Sequence, residues 1–160
     1  MRRRSFIVAG LAASAIGCSR SKSPWRFFTL PEALTLQAVC AHIIPQDQDP
    51  GAIQAGVVVF IDRQLTLFYK PLQPTYRVGI AAVDRASLHL AGSPFAALPP
   101  ASQLHLLHQL ERQPDTQPFF DLLVSHAMQG FYGDPRHGGN RDRVSWRMLG
   151  VASPPIRGRA

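Results

Sequence analysis

Residues 52–69 read AIQAGVVVFIDRQLTLFY, and the class of the fold turns on whether that run is a strand or a helix. Its centre, GVVVFI from Gly56 to Ile61, is rich in the β-branched side chains that strands favour. The longer run does not alternate with period two. Val57, Phe60, Ile61, Leu65 and Phe68 instead recur three and four residues apart, which is one stripe of a helix. The reading is a helix from Ala52 to Tyr69 with that stripe inward, closed by Lys70-Pro71.

The same logic extends in both directions. Upstream, PQDQDPGA (45–52) is turn-rich. Asp47 and Asp49 suggest a calcium loop, but the EF-hand spacing that ends in a Glu is missing, so a surface loop is expected. Before it, Thr29-Leu-Pro-Glu32 forms a capping box, in which the Thr29 hydroxyl and the Glu32 carboxylate satisfy each other's free amides. The helix it opens carries Leu36, Val39, Cys40, Ile43 and Ile44 on one face and ends at Pro45. Downstream, a helix from about Pro74 to Leu90 turns Tyr76, Ile80, Val83 and Leu90 inward. A fourth, Ala101 to Arg112, offers Leu104, Leu107 and Leu110, and a fifth, Phe119 to about Gln129, offers Phe120, Leu123, Val124 and Ala127. A short helix around Asp142–Leu149 ends at Gly150. The expected fold is all-α, a compact bundle of five to six short helices with an irregular Gly-rich loop near the C-terminus, and no internal repeat.

The first 18 residues form an export signal. Arg2, Arg3 and Arg4 precede an apolar run from Phe6 to Gly17 that is too short to span a bilayer, which takes about 20 residues. Arg3-Arg4-Ser5-Phe6-Ile7 resembles the twin-arginine address read by a route for folded passengers; the alternative is an ordinary secretory signal with an extra arginine. Ala13-Ser14-Ala15 suits ordinary cleavage. Ala15-Ile16-Gly17-Cys18 resembles a lipobox that would lipidate Cys18, with Ala where Leu is usual. Both fates stay open. Residues 19–27 read as a linker, 28–150 as the helical domain, and 151–160 as a Pro-rich tail.

The formal charge of +7 invites a nucleic-acid partner. Without Arg2, Arg3, Arg4, Arg20 and Lys22, however, 12 Lys+Arg face 10 Asp+Glu, a net of +2, and the basic footprint of a nucleic-acid binder is gone. No Cys-x-x-Cys-His motif appears, which excludes covalent haem on motif grounds, and two cysteines cannot supply a four-cysteine cluster. Cys40, on an apolar stripe, reads as a buried thiol; a disulfide to Cys18 is the alternative if Cys18 persists unmodified. His105 and His108 lie one turn apart with only Glu111 near as a third ligand, and read as two side chains on a solvated face. His42, His89 and His126 sit on separate helices, outside any nucleophile elbow, and no phosphate-cradling glycine motif is present.

That leaves FYGDPRHGGNRDRVSWRMLG (131–150). Asp134-Pro135 starts a turn, and Gly138-Gly139 permits positive φ twice. The turn's amides with Arg136, His137, Arg141 and Arg143 would suit an anion; its Arg, Trp and Tyr would equally suit a protein interface, and a purely structural loop is the plain alternative.

This stretch resembles the C-terminal signature of the gluconate 2-dehydrogenase subunit 3 family. The resemblance rests on Phe131, Tyr132, Asp134, Pro135, Arg136, Gly138, Gly139, Asn140, Trp146 and Gly150, and on IIPQDQDPGAIQAGVVVFID (43–62) upstream. It runs from about Phe28 to Gly150, with His137 where the family has Tyr. It implies a small non-catalytic subunit with no cofactor of its own, acting as export escort and maturation partner of a GMC-type large subunit. That partner would carry FAD and oxidise gluconate, another sugar or an alcohol, and a multi-haem cytochrome c subunit would take the electrons. It further implies a periplasmic, membrane-associated location and delivery by the twin-arginine machinery through Arg3, Arg4 and Phe6. On this view Asp134, Arg136, Gly138, Gly139, Asn140 and Trp146 shape a loop–helix corner at or beside the partner interface. The alternative is a monomeric periplasmic lipoprotein that binds a small anion or another protein.

Overall fold

The computed structural model describes residues 24–152; Arg3, Arg4, Phe6, Cys18 and the tail beyond residue 152 lie outside the described residues. Within them seven α-helices and four 3-10 turns follow one another with no strand. The helices are α1 (Leu30–Ile43), α2 (Ala52–Ala55), α3 (Val57–Leu65), α4 (Gln73–Ala91), α5 (Pro100–Leu110), α6 (Gln117–Tyr132) and α7 (Val144–Met148). No helix among the described residues is long and apolar enough to cross a membrane.

The capping box at Thr29 forms as read. Thr29 N–H donates to Glu32 Oε2 at 2.8 Å, and Glu32 N–H returns a longer bond to Thr29 Oγ1 at 3.4 Å. Residues 45–49 are an exposed turn in which Asp49 N–H donates to Asp47 Oδ1 at 2.9 Å, a local Asx turn.

The 52–69 stretch is helical but is not one helix. Gly56 (φ 71°, ψ 32°) ends α2 and begins α3, in the left-handed region that favours glycine. Apolar periodicity runs straight through such a break, so the pattern alone could not place it. The C-terminal turn fills the bend: a Cβ on Gly56 would stand 3.3 Å from the Gly138 carbonyl oxygen. α3 then stops at Leu65, where Thr66 Oγ1 donates to the Arg63 carbonyl at 2.8 Å. Phe68, read as part of the inward stripe, lies beyond that stop and is 83 % exposed.

The core joins Leu36, Val39 and Cys40 of α1, Val57, Ile61 and Leu65 of α3, and Tyr76, Ile80 and Val83 of α4 to the buried faces of α5 and α6. Leu90, Leu104 and Val124 correct the expected core, since all three are exposed. The cause is helix phase. α5 buries Gln103, Leu106, Leu107 and Leu110, and α6 buries Phe120, Leu123 and Ala127. Leu104 and Val124 each stand one residue, about 100° of turn, from a buried stripe. Leu90 follows the last buried residue of α4, Ser87. Cys40 is fully buried and unpaired, and burial pushes its thiol up to about 12, the state of an inert core sulfur.

Two carboxylates, the buried Asp62 and the half-buried Asp84, hold the bundle in ways the pattern did not announce. Asp62 of α3 is 3 % exposed and accepts the backbone N–H groups of Arg26 (2.8 Å), Phe27 (2.9 Å) and Phe28 (3.0 Å). It thereby pins the segment leading into α1 across α3. Asp84 of α4 accepts the Thr35 hydroxyl at 3.0 Å and the Phe95 N–H at 3.2 Å, tying α1 and the 95–97 turn to α4.

Candidate functional site

The C-terminal corner is built from α6 outward. Asp134 caps the 3-10 turn Pro135–His137 by accepting the Arg136 N–H at 2.9 Å. The Arg136 side chain folds back, donating through Nε (2.9 Å) and Nη2 (2.6 Å) to Asp134 Oδ2. The bonds from the Arg136 side chain hold the Asp134 carboxyl below the usual carboxylate range. Arg136 is therefore engaged within its own turn.

Gly139 passes directly under α6. A Cβ there would overlap the Gly130 carbonyl oxygen, a clash with backbone that a rotamer change cannot relieve. The absence of that Cβ lets the Asn140 N–H donate to the same Gly130 oxygen at 2.8 Å.

Asn140 is the knot of the corner. It is completely buried and sits at φ 41°. Its Nδ2 donates to the Gly133 carbonyl at 2.9 Å and its Oδ1 accepts the Ser145 N–H at 3.0 Å. Its own carbonyl accepts the Arg143 N–H at 2.8 Å. One side chain thus joins the end of α6 to the start of α7. Asp142 (φ 56°) and Arg143 (φ 57°) also adopt left-handed backbone, which is unfavourable for side chains of this kind and persists because the surrounding bonds impose it. Trp146 finishes the corner: its Nε1–H donates to the Tyr132 carbonyl at 2.8 Å, satisfying one of the otherwise open carbonyls at the end of α6.

The structure places Asp134, Arg136, Gly138, Gly139, Asn140 and Trp146 in one corner. Their polar contacts run inward or to each other. Outward, the corner exposes the apolar Tyr132, Met148, Leu149 and Val151 among the charged Arg136, Arg141, Asp142, Arg143 and Arg147. Tyr132 continues a stripe on α6 with Val124 and Met128, four residues apart each time. Val124 and Met128 in turn line a groove of about 520 Å³ with Leu104, Ile43 and Phe120.

His42 and His108 line the same groove, but each makes its own separate contacts. His105 contacts Gln109 at 3.0 Å and His108 contacts Glu111 at 3.0 Å, both on exposed surface. His42 meets Gln103 at 2.9 Å. His126 is buried, bonded through Nδ1 to the Tyr76 hydroxyl at 2.8 Å and stacked on Tyr69 with ring centroids 4.0 Å apart. Burial lowers its pKa. Among the described residues no group of three or more His, Cys, Asp or Glu side chains is placed to hold a metal ion.

Asp62, Gly56 and the apolar stripe were missed by sequence reasoning. The signal for Asp62 was an acidic residue directly after a buried Ile on an amphipathic helix. The signal for Gly56 was a glycine inside a helical pattern.

The domain is thus all-α, its sequence signature forms an internally bonded corner, and an exposed apolar stripe lies on α6 beside it. Compared with known protein families, residues 31–153 match gluconate 2-dehydrogenase subunit 3. The chain belongs to that family, which makes it an accessory subunit of a dehydrogenase complex and implies dehydrogenase partners. No curated protein and no solved structure matches the chain.

Proposed function

We propose that this chain is the non-catalytic small subunit of a periplasmic FAD-dependent dehydrogenase acting on gluconate, another sugar or an alcohol. In this role it binds the folded, FAD-bearing GMC-type large subunit, escorts it through the twin-arginine route by means of Arg3, Arg4 and Phe6, and stabilises it afterwards. A multi-haem cytochrome c subunit accepts the electrons. The assembly is membrane-associated, through its partners or through a lipid on Cys18.

The observation that carries the proposal is the exposed α6 stripe, Val124–Met128–Tyr132, of which Val124 and Met128 line the groove with Leu104 and Ile43 inside a rim of His42, His108, Glu111, Arg112 and Asp121. Exposed apolar side chains rimmed by polar ones suit a protein-interaction site. The corner also suits the task. Rigid, internally bonded backbone presents aromatic and aliphatic anchors with little ordering cost on binding. A flavin-loaded passenger must be folded before it crosses, so docking precedes export and the interface has to form in the cytoplasm.

Co-expression with the large subunit tests this. The expected result is a co-purifying yellow complex, found in the periplasm when Arg3 and Arg4 are intact and retained with this chain in the cytoplasm when both are changed to Lys. A large subunit that reaches the periplasm regardless would refute the escort role. A chain that purifies alone beside its expressed partner would refute docking and leave the lipoprotein reading.

A further inference from the structure

Where α3 meets the C-terminal turn, two left-handed glycines each seat an arginine from the other's element. Arg141, on the C-terminal turn, lies over Gly56: a Cβ there (φ 71°) would stand 3.4 Å from Arg141 Nη2 and 3.7 Å from Cζ. Arg63, on α3, lies over Gly138: a Cβ there (φ 102°) would stand 2.7 Å from Arg63 Cδ and 2.9 Å from Nη1. The two side chains cross the junction between α3 and the C-terminal turn in opposite directions. Both line one hollow of about 430 Å³, with Arg26, Gln37, Trp25 and Asp62 among the other walls.

Other arginines of the domain show what a satisfied guanidinium looks like here. Arg77 binds Glu32, donates to the Phe27 carbonyl at 2.9 Å and lies over the Phe27 ring; Arg136 is held by Asp134. Among the described residues the guanidiniums of Arg26, Arg63 and Arg141 have no carboxylate partner. The single acid in the hollow, Asp62, has its oxygens engaged by three backbone N–H groups. Three guanidiniums against one carboxylate leave the lining with a net charge of +2. Arg forks presented side by side match the two oxygens of a carboxylate. Trp25, Val59 and Pro24 line the rest of the hollow, a surface suited to the carbon body of an organic acid more than to an inorganic anion.

We infer that the hollow between Arg63 and Arg141 is a binding site for an organic carboxylate. The site is distinct from the apolar stripe. The carboxylate comes either from a free acid or from an acidic group on a partner chain. The first source is independent of the docking proposal, and the second rests on it.

The test follows the Arg Nε–H resonances of the full chain in NMR while sodium gluconate is added at constant ionic strength, with sodium chloride and sodium phosphate as parallel titrations. For a free acid, the Arg63 and Arg141 signals shift together and saturably with gluconate, not with chloride, and Arg141→Gln abolishes the response. For a partner's carboxylate, gluconate gives no response. Both signals then shift in the complex with the large subunit, and Arg63→Gln and Arg141→Gln each weaken that complex at least tenfold. Gln37→Glu guards against a variant that fails to fold: it places a competing carboxylate in the hollow, so it should raise the melting temperature and remove either response. Silence of both signals in both settings overturns the inference, as does a stronger response to phosphate than to gluconate. If no complex forms, the docking proposal has failed by itself and the gluconate titration alone decides this site.

Discussion

Asn140→Ala should strip the corner of its knot, and the cost can be worked from the structure. The substitution removes two side-chain hydrogen bonds, to the Gly133 carbonyl and from the Ser145 N–H. Ser145 is completely buried, so its N–H is left without a partner at a cost of about 1–3 kcal/mol. Gly133 is only half-buried and can recover some water, so its carbonyl adds about 0.5–1 kcal/mol. The backbone stays at φ 41°, where Asn is tolerated and Ala is not, for about another 1 kcal/mol. The total is about 2.5–5 kcal/mol, a large part of the ~5–15 kcal/mol that holds a domain of this size. At about 3–5 °C per kcal/mol, melting should fall by roughly 8–25 °C, measured on the isolated chain by circular dichroism. Asn140→Gly separates the terms: it loses the same hydrogen bonds but adopts positive φ freely, so it should recover about 1 kcal/mol relative to Ala. An Asn140→Ala chain that melts within a couple of degrees of the parent would refute the reasoning, because the signature would then not be holding the fold.

Three further outcomes follow from other parts of the molecule. Asp62→Ala should release the segment entering α1, so that amide exchange at Phe27 and Phe28 speeds up about a hundredfold, equivalent to ~2.7 kcal/mol of lost local protection; unchanged exchange at both would show that packing alone holds the segment. His126 is kept neutral by burial, with a folded pKa below its ordinary value of 6.5. Stability should therefore be complete above about pH 6.5 and decline as pH falls below it, where the unfolded chain takes up the proton first; urea midpoints that stay level down to about pH 5 would refute this, and a His126→Gln chain should lack the decline. Met128→Asp should leave the stability of the isolated chain within about 0.5 kcal/mol of the parent, since Met128 is exposed, yet weaken co-purification of the large subunit at least tenfold; equal recovery would remove the α6 stripe from the proposed docking surface.

The helices were legible because their signals are local. The Thr29 capping box, the three- and four-residue spacing of Leu36, Val39 and Cys40, and the Pro residues at helix starts act within a turn or two of chain. What escaped was set by partners distant in sequence. Gly56 breaks its helix where residues 138–141 fill the bend. Leu104 and Val124 fit an apolar stripe by type, but the phase of α5 and α6 is decided by what each helix packs against. Asp62 looks like any surface acid until residues 26–28 fold across it.

The corner shows the same division within one motif. Its pattern, Asp-Pro-Arg-x-Gly-Gly-Asn followed by Trp, was visible as a unit, and each of its polar side chains has a role once the backbone is known. Those roles face inward: Asn140 bonds α6 to α7, Trp146 closes the end of α6, and Arg136 is held by Asp134. A pattern shared because it folds a corner does not name the residues that touch a partner. The residues we propose for contact are held in place by the corner and are not part of its hydrogen-bonded knot: Tyr132, Met148 and Leu149 beside it, and Arg63 across from Gly138. The two sets should therefore separate in experiment. Substitutions in the signature should lower the stability of the chain by itself, and the loss of complex should follow from that. Substitutions in the flanking set should leave the isolated chain intact and weaken only what it binds. If Asn140→Ala weakened the complex with no change in melting, the signature would itself be the contact surface, and this assignment of roles would be inverted.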